Sequence, residues 1–264
     1  MDKIDMQALL DRVVDIAQTA GKAIMEIYNK TEPETVFYKE DKSPLTLADM
    51  ASHTIISEEL QKLSLSIPVL SEEAANIPYE VRKSWERFWL VDPLDGTKEF
   101  IKRNNEFTVN IALIDRTRPV LGVVHAPALD VTYSATTDTG AFKLTEAGRQ
   151  QITVSGQYNG QLKIVASRSH GNAAVEQFIN KFPDALFMAK GSSLKFCLVA
   201  EGSAHLYPRF GPTMEWDTAA AQCVVECAGG TVTDIQGIAL KYNKPDLHNP
   251  FFVVSGLKDF PWQS

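Results

Sequence analysis

WLVDPLDGTKEF, residues 89–100, is the stretch on which the reading of this chain turns. An apolar run ends at Val91 and gives way to Asp92-Pro93-Leu94-Asp95-Gly96-Thr97. Pro93 has no N–H for a sheet ladder and Gly96 tolerates positive φ, so the pattern predicts a strand that stops at a tight turn. The turn carries two carboxylates three residues apart and a hydroxyl two residues beyond the second. Oxygen ligands gathered on a rigid turn suit a hard cation such as Mg²⁺. Asp and Gly are also ordinary turn formers, so the turn alone does not decide the matter.

Working outward, apolar residues at Leu9, Leu10, Val13, Ile16, Ala17, Ala20, Ile24 and Ile27 predict an amphipathic helix over Met6–Tyr28. Residues 29–45 hold Pro33 and Pro44 and read as a loop with a short strand at Thr35–Tyr38. A second helix is expected from Leu47 to Leu63, with Thr46 as N-cap and Asp49 completing a capping box. Ile67–Leu70 reads as a short strand leading into Ser71-Glu72-Glu73. Beyond the turn, Phe107–Ile114, Val120–His125, Val131–Ala135 and Ala141–Leu144 form an antiparallel meander.

The pattern then changes to alternating elements. Strands are expected at Lys163–Ala166, Leu186–Met188, Ala204–Tyr207 and Phe251–Val254, and helices at Asn172–Lys181, Ser193–Ala200 and Thr218–Ala228. The expectation is therefore an α+β fold of stacked layers in one domain, 1–264. Within it, 1–155 form a half of helices and antiparallel sheet, and 156–264 an α/β half.

Composition narrows the class. Hydrophobic residues at 44% and charged residues at 22% are ordinary for a globular chain, and a net charge of −7 argues against a nucleic-acid polymer as partner. Bound cations reverse a local field, so a phosphorylated small molecule stays open. Cys197, Cys223 and Cys227 make no disulfide framework, and with no His or Cys close by in sequence Cys223 and Cys227 read as buried apolar residues rather than a zinc site. The N-terminus lacks a basic segment followed by an apolar one, and no apolar run approaches the ~20 residues that span a bilayer. The expected location is cytoplasmic, and no basic amphipathic helix supports attachment to a membrane surface.

Four segments place an acidic residue at the border of an element: Ser43–Asp49, Ser71–Glu73, Asp92–Thr97 and Glu215–Ala220. In this order and spacing they resemble the Li⁺-sensitive, Mg²⁺-dependent phosphomonoesterase superfamily that contains inositol monophosphatase and fructose bisphosphatase. WLVDPLDGTKEF matches its first signature and EWDTAAAQCVVECAGG, residues 215–230, its second, within a likeness over roughly residues 8–255. Lys42–Thr46, Ala166–His170, Gly191–Phe196 and Tyr207–Arg209 are most similar to the bacterial 3'(2'),5'-bisphosphate nucleotidases.

The resemblance implies a layered αβαβα sandwich and hydrolysis of the 3'-phosphate of adenosine 3',5'-bisphosphate (PAP), a by-product of sulfonate transfer. It implies two to three Mg²⁺ ions: one on Glu72, Asp92 and the Leu94 carbonyl, a second on Asp92, Asp95 and Asp217, and a third, mostly water-held, near Glu72. Asp49 and Thr97 orient and deprotonate the attacking water, with Glu72 also at the reacting centre. Gly96 and Thr97 offer N–H groups to the phosphate, and Ser169, His170, Ser193, Lys195 and Arg209 clamp the second phosphate. Two rivals remain: a phosphatase of inositol or other sugar phosphates, and a non-catalytic regulator binding a phosphorylated ligand, which should have lost at least one metal ligand where this sequence lacks none. The haloacid-dehalogenase-type signature, Asp-x-Asp-Gly-Thr, does not fit, because Pro93 and Leu94 both separate the aspartates here.

Overall fold

The computed structural model describes residues 5–30, 37–38, 44–63, 66–158, 160–167, 173–258, 260 and 262. The first half comprises α1 (Met6–Tyr28), β1 (Phe37–Tyr38), β2 (Pro44–Leu45), α2 (Leu47–Lys62), β3 (Val69–Ser71), α3 (Tyr79–Arg82), β4 (Arg87–Asp95), α4 (Thr97–Ile101), β5 (Thr108–Asp115), β6 (Arg118–Ala126), β7 (Val131–Thr136), β8 (Gly140–Thr145) and β9 (Gly148–Gln151). The second comprises β10 (Lys163–Ser167), α5 (Ala173–Asn180), β11 (Leu186–Lys190), α6 (Leu194–Ala200), β12 (Leu206–Arg209), α7 (Glu215–Cys227), β13 (Thr231–Asp234) and β14 (Phe252–Ser255).

Strands β3 to β9 form one seven-stranded sheet in chain order, antiparallel except for the parallel pair β3–β4 at its edge. A second sheet has the order β11-β10-β12-β14-β13. Period-two alternation divides the side chains between layers. Trp89, Val91, Val109, Ile111 and Leu113 pack with α1 and α2, while Phe88, Leu90, Ala112 and Ile114 pack with α6 and α7. The second sheet does the same: Val165, Tyr207, Phe252 and Val254 face α6 and α7, and Ile164, Leu206 and Val253 face Phe178 of α5. The layers thus run α1/α2, sheet, α6/α7, sheet, α5, an αβαβα sandwich as the resemblance implied. Gly122 lets the middle layer close: a Cβ there would lie 2.3 Å from the Ala220 carbonyl oxygen of α7.

Most predicted elements recur with shifted ends, and one difference concerns the decisive stretch. The strand does not stop at Val91 but continues as β4 to Asp95, carrying Pro93 within it. Asp92 pairs with Asn110 and Asp95 with Thr108, so three steps on β4 match two on β5. That extra residue is a β-bulge, where the missing N–H of Pro93 costs no ladder bond. In a regular strand, residues three apart face opposite sides. The bulge turns both carboxylates to the same cavity. The Asn172–Lys181 prediction appears as α5, with Asn172 itself outside the described residues.

His125 of β6 gives the fold a measurable pH dependence. It is 4% exposed, bonded through Nδ1 to Thr132 Oγ1 at 2.9 Å, and burial lowers its pKa from 6.5 to about 4. Between those values the unfolded chain binds the extra proton, so the contribution is full above pH 6.5 and lost as pH falls toward 4. At 1.36 kcal/mol per pH unit the span is about 3 kcal/mol. Urea unfolding at pH 7 and pH 4 should therefore differ less for His125→Gln than for wild type by up to about this amount. Parallel curves for the two proteins would refute the assignment.

Candidate active site

Four elements bring their acidic ends to one place. α2 supplies Asp49, the end of β3 leads to Glu72, β4 supplies Asp92 and Asp95, and the first turn of α7 supplies Asp217. Glu72, Asp92, Asp95 and Asp217 line a cavity of about 620 Å³ that extends past Thr97, Ser193 and Lys195 to Arg209, Trp216 and His248. Carboxylate oxygens of Glu72, Asp92 and Asp217 lie within 4.8 Å of one another.

Each of the four aspartates has at least one oxygen held by the protein, and Asp49 has both. Asp49 Oδ2 accepts from Thr46 N at 2.8 Å and Thr46 Oγ1 at 2.7 Å, while Oδ1 accepts from Thr97 Oγ1 at 3.2 Å. The capping role and contact with Thr97 are therefore simultaneous. Asp217 shows the same device. α7 starts one turn earlier than the sequence suggests, at Glu215, so Asp217 is not the cap but reaches back to the N–H of Met214 at 2.8 Å. Asp92 Oδ1 accepts from Leu94 N at 3.1 Å. Asp95 Oδ2 accepts from Ser192 Oγ at 2.8 Å and Ser193 N at 2.6 Å.

So many carboxylates cannot all stay ionised without compensation. Burial, followed by repulsion from Glu72, Asp95, Asp217 and Asp49, pushes Asp92 well above the ordinary carboxylate range. Burial, then Asp95 and Glu72, pushes Asp217 up as well, against the Met214 N–H and the Arg209 guanidinium. An all-oxygen donor set with surplus negative charge fits a hard divalent cation.

Beside the carboxylates, Gly96 sits at φ +94° and starts α4, where a Cβ would come within 3.1 Å of the Glu106 carbonyl oxygen. Thr97 is the first residue of that helix, and its hydroxyl also lies 3.4 Å from the Leu94 carbonyl. The far wall is basic. Lys195 is not the solvated helix residue that its type suggests; it is buried, donates to the Ser192 carbonyl at 2.6 Å and lies 5.3 Å from the Tyr207 ring centre. Desolvation lowers its pKa to about 8. Arg209 donates to the Pro212 carbonyl at 2.8 Å, and its Nε is buried without a partner among the described residues. Ser193 Oγ donates to Asn110 Oδ1 at 2.8 Å and meets Thr108 Oγ1 at 2.8 Å. Ser169 and His170 lie outside the described residues, as do Lys42, Ser43 and Arg168.

Three contributors are not singled out by the sequence: Ser192, which holds Asp95; Glu106, which accepts from Gly191 N at 2.8 Å; and His248, on the cavity rim. The Asp95–Ser192 contact spans 97 positions, and the only local signal for it is the adjacent Gly191-Ser192-Ser193 loop.

A cavity walled by carboxylates on one side and by Lys195 and Arg209 on the other, between the layers of an αβαβα sandwich, is built for hydrolysis of phosphate esters. Residues 5–255 match the sequence model of the inositol monophosphatase family, and the chain belongs to that family. It is similar to the 3'(2'),5'-bisphosphate nucleotidase CysQ of Escherichia coli strain K12, with 51% identity covering 94% of this chain and 99% of that protein. The protein of the same name from Haemophilus influenzae is 39% identical, covering 97% and 96%. The crystal structure of CysQ from Bacteroides thetaiotaomicron, a bacterial member of the same family, superposes with a TM-score of 0.85 at 40% identity, covering 96% and 98%. Among the described residues, no helix is long and apolar enough to cross a membrane.

Proposed function

We propose that this chain is a 3'(2'),5'-bisphosphate nucleotidase that removes the 3'-phosphate of PAP, releasing AMP and inorganic phosphate. The observation that carries the reading is the pairing, in one cavity, of the carboxylate cluster with the buried Lys195 and the Arg209 guanidinium. A substrate with one reacting phosphate and one retained phosphate uses both walls. Identity of 51% to a nucleotidase of that name supports the same choice.

Glu72, Asp92 and the Leu94 carbonyl would hold one Mg²⁺, Asp92, Asp95 and Asp217 a second, with a third beside Glu72. When bound, the ions supply charge neutralisation, polarisation of the phosphate ester and a more acidic water. Asp49, fixed through Thr46, orients the Thr97 hydroxyl so that its lone pairs meet the attacking water, and the pair takes up the proton. Gly96 and Thr97 present N–H groups at the start of α4 to the transferring phosphate oxygens. Water attacks phosphorus in line, the bond to the 3'-oxygen breaks, and that oxygen takes a proton from solvent water to leave as the ribose hydroxyl, while the proton held by Asp49 returns to solvent. Ser193, Lys195 and Arg209, joined by Ser169 and His170, hold the 5'-phosphate in place.

We also infer that 1–155 and 156–264 act as one unit, supported by a hydrophobic cluster that runs from Leu90 and Ala112 to Tyr207 and Phe252. Three free cysteines fit a reducing, cytoplasmic setting.

Phosphate release from PAP and from inositol 1-phosphate, each with Mg²⁺ and with EDTA, tests the reading. Mg²⁺-dependent turnover with PAP strongly preferred is expected. Preference for the inositol ester would assign the chain to the sugar-phosphate branch. Absence of turnover with either would favour a ligand-binding regulator.

A further inference from the structure

Ser192 stands out among the non-glycine residues around the cavity because its backbone is in the left-handed region, at φ +56°. An L-residue with a Cβ adopts that region at a cost, and glycine does so freely. Such strain persists where the surroundings over-determine it and the side chain has work to do. Here the surroundings do so on every side. The Ser192 hydroxyl donates to Asp95 Oδ2 at 2.8 Å and lies 2.5 Å from Thr108 Oγ1. The next amide, of Ser193, donates to the same Asp95 oxygen at 2.6 Å. The Ser192 carbonyl receives Lys195 Nζ at 2.6 Å, and the preceding Gly191 N–H is held by Glu106 Oε2 at 2.8 Å.

A glycine at 192 would keep the loop's shape and the Ser193 amide contact without strain, yet the chain has a serine. What serine adds is the hydroxyl on Asp95. We propose that Ser192 is a positioning residue for the cation site: with the Ser193 N–H it saturates Asp95 Oδ2, fixes the carboxylate plane and leaves Oδ1 as the single oxygen offered to an ion. The same contact ties the basic wall to the acidic one, because Lys195 is anchored on the carbonyl of the residue whose hydroxyl holds Asp95. The inference rests on the proposed role of Asp95 as a ligand.

Outer partners of metal ligands typically change metal affinity 10- to 100-fold when removed. The test is thermal unfolding of wild type, Ser192→Gly and Ser192→Ala, titrated with Mg²⁺ alone, so that no substrate enters. Both variants should need at least about tenfold more Mg²⁺ than wild type for a half-maximal rise in melting temperature. In EDTA the two should separate: Ser192→Gly, relieved of strain, melts no lower than wild type, whereas Ser192→Ala keeps the strain and melts lower. A merely structural serine would give the EDTA difference with an unchanged Mg²⁺ midpoint. That outcome, in either folded variant, overturns the role of Ser192 while leaving the cation site standing. Failure of wild type itself to respond to Mg²⁺ overturns both.

Discussion

Asp92→Asn is expected to remove at least about 10³-fold of the Mg²⁺-dependent phosphate release while making the cation-free protein harder to melt, since cation assistance contributes several kcal/mol and each ~1.4 kcal/mol is tenfold. The two effects share one cause. Asp92 is 1% exposed and is shared between both proposed ion positions, so its charge is the one that the fold accommodates worst without an ion. Asn keeps the shape and an oxygen for the Leu94 N–H, but carries no charge to be repelled. The sign follows from the raised pKa. Below the ordinary carboxylate value of 3.8 Asp92 is protonated in both folded and unfolded chains, and the variant gains nothing. As pH rises above 3.8 the unfolded wild-type chain releases this proton while the folded chain retains it, so wild type loses stability and the advantage of Asn in EDTA grows. Adding Mg²⁺ at about a hundred times its dissociation constant should stabilise wild type by about 2.7 kcal/mol and the variant by much less. Melting curves at pH 5 and pH 8, with EDTA and with Mg²⁺, read all of this alongside phosphate release. Retention of more than a tenth of the activity, or a lower melting temperature in EDTA, would count against Asp92 as the shared ligand. Asp217→Asn should behave alike in direction, because Asp217, though only half-buried, is pushed up by desolvation and by Asp95 and Glu72.

That result would also show what was readable in advance. The residues of the acidic cluster were legible because each stands at the end of an element, and ends are local events: Asp49 after a capping Thr, Asp95 before a Gly-Thr, Asp217 in the first turn of a helix. Their convergence was legible only through the order of the motifs. The bulge was not, since Pro93 argues locally for a strand end and only the pairing with β5 shows the ladder resuming at Asp95. β9, reading Gly-Arg-Gln-Gln, has no apolar alternation because all four residues are exposed at a sheet edge. β13 escaped for a related reason: of Thr231–Asp234 only Val232 is buried, and one residue makes no period. The start of α7 was missed because Asp217 resembles a cap, whereas the contact that fixes it is a backbone N–H three residues earlier. Ser192 had only the Gly191-Ser192-Ser193 loop as a local signal; its conformation is imposed by Glu106 and Thr108, which come from distant parts of the chain, and by Lys195 of the helix that follows.

Lys195 is where the choice between PAP and a simpler ester should be decided. Its ammonium is buried and has three donors, of which the Ser192 carbonyl takes one. Two roles are consequently in competition: a contact to the second phosphate, and support of the loop that holds Asp95. Lys195→Gln separates them, because the amide retains a donor for the Ser192 carbonyl and loses the charge. A charge-assisted hydrogen bond to phosphate contributes roughly 1.5–3 kcal/mol, so kcat/KM for PAP should fall about 10- to 100-fold. Adenosine 3'-monophosphate, which lacks the 5'-phosphate, should lose less than about threefold, and the PAP deficit should lie in KM. The pH profile adds an independent check. Desolvation, helped by Arg209, holds the Lys195 ammonium at about 8, against Asp95, Glu99 and Glu106, so it is charged below that pH and neutral above it. The preference of wild type for PAP over the monophosphate should therefore fade as pH rises through about 8, and the variant should show no such fading. Equal losses on both substrates, accompanied by a higher Mg²⁺ requirement, would instead mean that Lys195 works through the Ser192 loop and that selection of the second phosphate falls to Arg209, whose buried Nε has no partner among the described residues.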